Sequence, residues 1–298
     1  MSDSLSTIKD FIRFAFSRMN QAEVFFGHGT DNAWDESVAL VLQSLHLPWD
    51  FDVSMWDAKL TPDECHLVSN TLCKRVDSRI PLAYLTQQAW FCGLPFYVDE
   101  RVLVPRSPIS ELIANGFLPW LSREPDAVMD LCTGSGCIGI ACANAFEASQ
   151  VSLIDLSADA LAVAAINIER HGLAERVSAF ESNVFDDLDD THLGRYDLIV
   201  SNPPYVDQRD IDTMPQEFHC EPMIGLASGK DGLEVTRRIL REAEKYLTED
   251  GILVVEVGNS WENLEAAYPN VAFVWLEFEF GGHGVFAMTA EQLKNTAW

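Results

Sequence analysis

Hydrophobic positions change period along this chain, and the change divides it. From Ser4 to Met19, apolar side chains at Leu5, Ile8, Phe11, Ile12, Ala15 and Phe16 share one face of a helical wheel. Asp35 to Leu45 repeats the pattern after a cap near Asp31. Thr61-Pro62-Asp63-Glu64 supplies a capping residue, a proline at the first helical position and acids in the first turn. That helix is expected to run to about Ser78 and stop before Pro81. Residues 84–105 change character: Trp90-Phe91, Gly93, Phe96-Tyr97-Val98 and Val102-Leu103-Val104 predict two strands and turns, a hairpin connector.

From about 126 onward short apolar runs alternate with helical periods. Strands are predicted over Ala127–Leu131, Val151–Ile154, Val177–Phe180, Asp197–Ser201 and Ile252–Val257. Helices are predicted over Gly136–Ala145, Ala158–His171 and Leu233–Leu247. Val271–Phe280 and Val285–Met288 are separated only by Gly281-Gly282-His283-Gly284, which predicts an antiparallel hairpin. The expected fold is α/β: a mostly parallel sheet ending in an antiparallel hairpin, with a small helical N-terminal domain. The expected domains are 1–83, a connector 84–105, and 106–298.

Two strand ends carry chemistry. Residues 130–136 read Asp130-Leu131-Cys132-Thr133-Gly134-Ser135-Gly136, a strand running into a glycine-rich turn that opens a helix. Ligands of open parallel sheets sit at such carboxyl ends. Gly134 to Gly139 also satisfies the dinucleotide fingerprint, with Asp155 suitably placed for a ribose. Asp130 argues the other way, because an acid before the turn repels a pyrophosphate and suits a cationic ligand such as S-adenosylmethionine. Asp155 either binds ribose hydroxyls or caps the following helix. Asn183 either contacts adenine, with Val184 flanking the ring, or makes an Asx turn.

The second strand end is the more specific. Asp197–Ser201 leads straight into Asn202-Pro203-Pro204-Tyr205. Two prolines stiffen the loop and remove donors, leaving the Asn202 side-chain oxygen and the Pro203 carbonyl as acceptors. Tyr205 adds an aromatic face. Two acceptors can hold both hydrogens of a planar amide or amine and aim its lone pair at an electrophilic methyl. The alternative is a rigid turn.

The glycine loop resembles motif I of class I methyltransferases. Asn202 to Tyr205 is similar to the catalytic tetrad of enzymes that methylate planar nitrogens. The order of Val104-Pro105-Arg106, Asp130 to Gly136, Asn202 to Tyr205, Glu221-Pro222 and Gly229 to Leu233 resembles the HemK/PrmC-like family of glutamine N5-methyltransferases over nearly the full length. The resemblance implies a seven-stranded Rossmann-like fold and S-adenosyl-L-methionine as cofactor. By that resemblance Asp130, Leu131, Cys132, Thr133, Gly134, Gly136, Asp155, Asn183, Val184 and Asn202 would hold the cofactor, and Asn202, Pro203, Pro204 and Tyr205 would be catalytic. Ser107-Pro108-Ile109-Ser110-Glu111 and Gly29 to Asp35 are most similar to the branch acting on large-subunit ribosomal protein three. The release-factor branch, a nucleic-acid adenine or cytosine amino-methyltransferase, a non-catalytic ribosome assembly factor and a nicotinamide-dependent dehydrogenase stay open. The helical domain would recruit substrate, or serve only stability or self-association.

Charge bears on the partner. Forty-six acidic and 20 basic residues give a net −26, spread along the chain. This disfavours bare nucleic acid and favours a basic protein such as the ribosomal one, or reflects solubility. Seven cysteines with no C-x-x-C spacing, and histidines at no metal spacing, predict neither a disulfide framework nor a metal site. No apolar run approaches a membrane span of about 20 residues, and the N-terminus has no signal-peptide core, so a cytoplasmic protein is expected. Trp34, Trp49, Trp56 and Trp90 are expected in the core. Glu256 and Arg106 are open between site and structural roles.

Overall fold

A computed structural model describes residues 5–298, which cluster into two compact units. The first holds the described residues to Ala89 together with Pro215–Cys220. Helix α1 (Ile8–Gln21) starts at a capping box in which Thr7 and Asp10 satisfy each other's backbone N–H. Ser4, the start that periodicity predicts, lies outside the described residues. Helix α2 (Ala33–Ser44) is capped by Asn32, and α3 (Pro62–Asp77) by a second box of Thr61 and Glu64. The chain is helical again in α4 (Leu82–Thr86), where the sequence predicts strand character from residue 84; Gln87, at φ 53°, ends it. Phe11, Ile12 and Met19 of α1 pack with Leu40 and Val41 of α2 and Val68 and Leu72 of α3.

This small core encloses charge. Arg75 is fully buried, its Nε donates to Glu36, and its Nη1 lies 3.5 Å from Glu217. Glu217 also accepts from the Phe25 N–H at 3.0 Å and pairs with Arg79 at 3.3 Å. Phe218 packs on Phe25 and His28. These contacts tie Pro215–Cys220 to helices far from it in sequence. Trp56 packs against the core as expected, but Trp34 is half exposed, with its ring edge-on to that of Phe16.

A two-stranded sheet, β1 (Ala89–Phe91) and β2 (Leu94–Phe96), begins at the last residue of the first unit's N-terminal segment and continues into the second unit. Alternation along β1 buries Ala89 and Phe91 and turns Trp90 to solvent, away from the core expected for it. Val102–Val104 is not a strand; a turn closed by the Val102 N–H on the Asp99 carbonyl precedes an irregular stretch. After α5 (Ile109–Ala114) come β3 (Ala127–Leu131), α6 (Cys137–Ala145), β4 (Gln150–Asp155), α7 (Ala158–Arg170), β5 (Val177–Glu181) and β6 (Tyr196–Ser201). Then follow α8 (Gln208–Thr213), α9 (Met223–Leu226), α10 (Glu234–Glu242), β7 (Leu247–Glu256), α11 (Trp261–Ala267), β8 (Val274–Trp275), β9 (Val285–Thr289) and α12 (Ala290–Lys294). The large sheet runs β5-β4-β3-β6-β7-β9-β8. Its first five strands are parallel, and β9 is antiparallel to both neighbours.

Two boundaries differ from the periodicity. The helix expected to reach Leu247 ends at Glu242, and after a 3-10 turn Leu247 opens β7. Backbone pairing wins there: the Gly194 N–H binds the Lys245 carbonyl, and the Arg195 N–H that of Tyr246. The strand expected over Val271–Phe280 shrinks to Val274–Trp275, because the Glu111 carboxylate accepts the N–H groups of Glu279 and Phe280 and leads the chain off the ladder. Among the described residues no helix is long and apolar enough to cross a membrane.

The chain reverses sides between β3 and β6, so their carboxyl ends flank a topological switch point. Leu131, Ile154, Ser201 and Val255 stand in one register row across β4-β3-β6-β7. Cys132, Asp155, Asn202 and Glu256 each follow that row by one residue.

Replacing Arg75 by alanine takes the cation from buried Glu36, which keeps the Thr30 hydroxyl, and leaves Glu217 with Arg79 and the Phe25 N–H. We expect a loss of about 3–5 kcal/mol in urea denaturation; a loss below about 1 kcal/mol would show that Glu36 and Glu217 are satisfied without it.

Candidate active site

The glycine loop is stitched by two carboxylates. Asp130 Oδ2 accepts from the Thr133 hydroxyl at 2.6 Å and from the Gly139 N–H at 2.9 Å. Its Oδ1 is buried with no hydrogen-bond partner among the described residues. Burial pushes the Asp130 carboxyl up to about 7. Glycine at 139 lets α6 pack closely onto β4: a Cβ there would stand 2.2 Å from the terminal Cδ2 of Leu153 and force that side chain to shift. Asp155 accepts from the Gly134 N–H at 2.8 Å and the Ser157 N–H at 2.9 Å, closing the ends of β3 and β4. Ser157, not Asp155, is the N-cap of α7. Burial raises the Asp155 carboxyl as well.

Two residues of this region hold strained backbone. Cys132 has φ 58° and Val184 has φ 61°. A β-branched residue at positive φ is an outlier, and such strain, about 1–3 kcal/mol, concentrates at ligand sites. Both residues come just after strands, β3 and β5, and both are in the cofactor set expected from sequence. Leu131 is fully buried in the core, and its carbonyl accepts the Ser201 hydroxyl.

Asn183 is held by a residue that no sequence motif marks. Arg238 of α10 donates to Asn183 Oδ1 at 2.7 Å, to its carbonyl at 3.0 Å and to Asp186 at 2.8 Å. Asn167 escapes sequence reading too. Fully buried on α7, it donates to the Ser135 carbonyl at 2.9 Å and exchanges two bonds with the Tyr97 backbone, backing the glycine loop. An asparagine on the apolar face of a helix is the one signal that could have found it.

The proline loop leaves β6 beside the glycine loop. The Asn202 side chain and the Pro203 carbonyl accept no hydrogen bond from any described residue. Tyr205, in contrast, is clamped. Its hydroxyl donates to Glu256 Oε1 at 3.1 Å, and its carbonyl accepts from the Ser260 hydroxyl at 2.7 Å. Gly258 lies under the ring, where a Cβ would come within 2.5 Å of it. Glu256 is buried and also accepts from Ser107 Oγ at 2.6 Å. Desolvation pushes its carboxyl up to about 7, and Tyr205 is raised by burial beside it. Arg106 meets buried Glu221 in a two-pronged pair at 2.7 and 2.5 Å, and Glu221 also accepts the Val104 N–H. Arg106 and Glu256 therefore both hold the walls of this region together.

The family described as "Methyltransferase small domain" matches residues 113–229. The chain is 49% identical over 293 residues to the ribosomal protein uL3 glutamine methyltransferase of Francisella tularensis, covering 98% of this chain and 92% of that protein. It is 48% identical over 294 residues to the protein of the same name from Neisseria gonorrhoeae, covering 98% and 97%. The chain belongs to this glutamine methyltransferase family. Among solved structures, the hMettl16 catalytic domain in complex with a MAT2A 3′UTR hairpin shares the fold, with TM-score 0.51 at 16% identity over 77% of this chain and 82% of that one.

The protein is thus an S-adenosylmethionine-dependent methyltransferase of the class I fold. The site suits that cofactor. Its sulfonium and ammonium are cationic, and two carboxylates flank the loop, one of them with a buried oxygen that lacks a partner among the described residues. A pyrophosphate would meet repulsion at the same place.

Raised carboxyls have a measurable signature. Between the ordinary value of a glutamate, 4.5, and about 7, native Glu256 keeps a proton that the unfolded chain has lost. Raising the pH across that window therefore lowers stability. We expect Glu256→Gln to gain on the wild type steadily from about pH 4.5 to about pH 7 in denaturant midpoints; a constant difference would place the charge in solvent.

Proposed function

We propose that this enzyme methylates the side-chain amide nitrogen, N5, of a glutamine in large-subunit ribosomal protein uL3. The observation that supports it most is the pair of acceptors, Asn202 Oδ1 and the Pro203 carbonyl, on a stiff loop and without donors among the described residues. A primary amide has two N–H groups for them. Its nitrogen is a poor nucleophile because the lone pair is delocalised into the carbonyl. Holding both hydrogens turns the lone pair out of conjugation and lowers the barrier by orientation and fixed dipoles. S-adenosylmethionine supplies an electrophilic methyl on sulfur. As the nitrogen–methyl bond formed, the methyl–sulfur bond would break, the cofactor would leave as a neutral thioether and the alkylated nitrogen would lose one proton, so no strong base is required. Pro204 stiffens the loop, and Tyr205, fixed by Glu256 and Gly258, walls the amide and excludes water.

Asp155 would take the ribose hydroxyls on the lone pairs that Gly134 and Ser157 leave open. Val184 and Asn183, steadied by Arg238, would flank the adenine. The helical unit would recruit the substrate. Ribosomal proteins neutralise RNA phosphates with Lys and Arg, so a chain of net −26 attracts one before assembly and repels bare nucleic acid. Such work belongs in the cytoplasm.

Three measurements test the proposal. Labelled-methyl transfer to purified uL3, a release factor and duplex DNA should mark a glutamine of uL3 alone; label on the release factor or on DNA would move the substrate class. Asn202→Ala should abolish turnover and leave cofactor affinity within about threefold; near-normal turnover would remove Asn202 from catalysis. Asp155→Ala should weaken cofactor binding by about 1–3 kcal/mol in calorimetry, and unchanged affinity would take it out of the ribose contact.

A further inference from the structure

The connection from α2 to α3 carries an exposed apolar surface that the methyl-transfer site does not use. Trp49 is 82% exposed, Val53 66% and Met55 51%. Residue type places Trp49 in the core; Phe51 and Trp56 pack there instead. The segment is not loose. The Phe51 N–H binds the Pro48 carbonyl, that of Met55 binds Asp52, that of Trp56 binds Val53 and that of Ala58 binds Met55, all at 2.9–3.1 Å. The Asp52 carboxylate caps the Ser54 N–H at 2.8 Å. The Lys9 N–H to the Trp56 carbonyl and the Leu60 N–H to the Ser6 carbonyl fasten it to α1 and the chain just before it. A rigid loop thus holds three apolar side chains in water.

Acids lie between them. Asp50, Asp52 and Asp57 are exposed. Lys9 reaches Asp57 at 3.8 Å, while Asp50 and Asp52 pair with no cation among the described residues. Rigid, exposed Trp and Met are what protein interfaces bury at little entropic cost. The carboxylates select the partner. Phosphates of RNA or of a membrane surface are repelled, and a second copy of a −26 chain is disfavoured. A Lys- and Arg-rich protein is favoured.

We propose that residues 49–57 are a docking surface for the basic ribosomal protein substrate, contacting residues of it outside the short stretch around the modified glutamine. This rests on the substrate reading above. The test compares full-length wild type, Trp49→Ser/Met55→Ser and Asp50→Asn/Asp52→Asn on two substrates: intact uL3, and a short peptide around its methylated glutamine. The apolar variant should raise KM for intact uL3 at least about tenfold, as expected for losing interface anchors, with kcat within about twofold. The charge variant should raise the same KM and flatten its dependence on salt. Both should treat the peptide as the wild type does. An unchanged KM for intact uL3 overturns the docking surface, and so does an equal loss on protein and peptide, which makes the loop structural. A wild type that dimerises through Trp49, lost in the serine variant, reassigns the face to a second copy and overturns it too. Wild type inactive on uL3 sinks the substrate reading itself, a result distinct from the others.

Discussion

Backbone pairing across four parallel strands sets one row, Leu131, Ile154, Ser201 and Val255, on which the candidate site depends. Because the ladder fixes that row, the next residue of each strand, Cys132, Asp155, Asn202 and Glu256, emerges at the same level of the sheet edge. Hydrogen bonding of the main chain, not side-chain affinity, brings the glycine loop, the Asp155 carboxylate, the proline loop and the anchor of Tyr205 together. A one-residue slip of β6 would turn Asn202 to the other face. The four strands are buried on both faces over this stretch, which holds the register.

The same edge carries an electrostatic cost. Asp130, Asp155 and Glu256 are carboxylates largely shielded from water, and each is raised by desolvation. None is idle. Asp130 joins Thr133 to Gly139, Asp155 joins Gly134 to Ser157, and Glu256 joins Tyr205 to Ser107. In the proposed reading a cationic cofactor relieves Asp130 and Asp155 takes the ribose hydroxyls, so negative charge is already in place where positive charge arrives. Preorganisation of this kind is stored in the fold rather than created on binding.

The sheet and the two loops are legible in the sequence because each has a local signature: a short apolar strand, a glycine turn, a proline pair. The helix cap at Thr61 is legible for the same reason. What escapes depends on partners distant in sequence. Arg238 meets Asn183 across 55 positions, and Asn167 meets Tyr97 across 70. Val184 reads as an adenine neighbour, but its left-handed backbone has no sequence mark. The helix before β7 reads too long because Leu247 satisfies either period, and pairing with β6 decides it. Residue type alone assigns Trp49 to the core, although the following Asp50 and Asp52 mark the stretch as a surface turn.

Glu217 bears on the order in which the protein can be made. Helices α1 to α4 leave the ribosome early, yet a carboxylate that faces buried Arg75 lies in Pro215–Cys220, synthesised after β3 to β6. Until then the guanidinium has Glu36 as its carboxylate partner. The helical unit therefore completes its core late, when most of the parallel strands have already been made. A gene cut at residue 89 encodes its helices but not its full charge balance, so each unit is compact while the chain that builds them is interleaved.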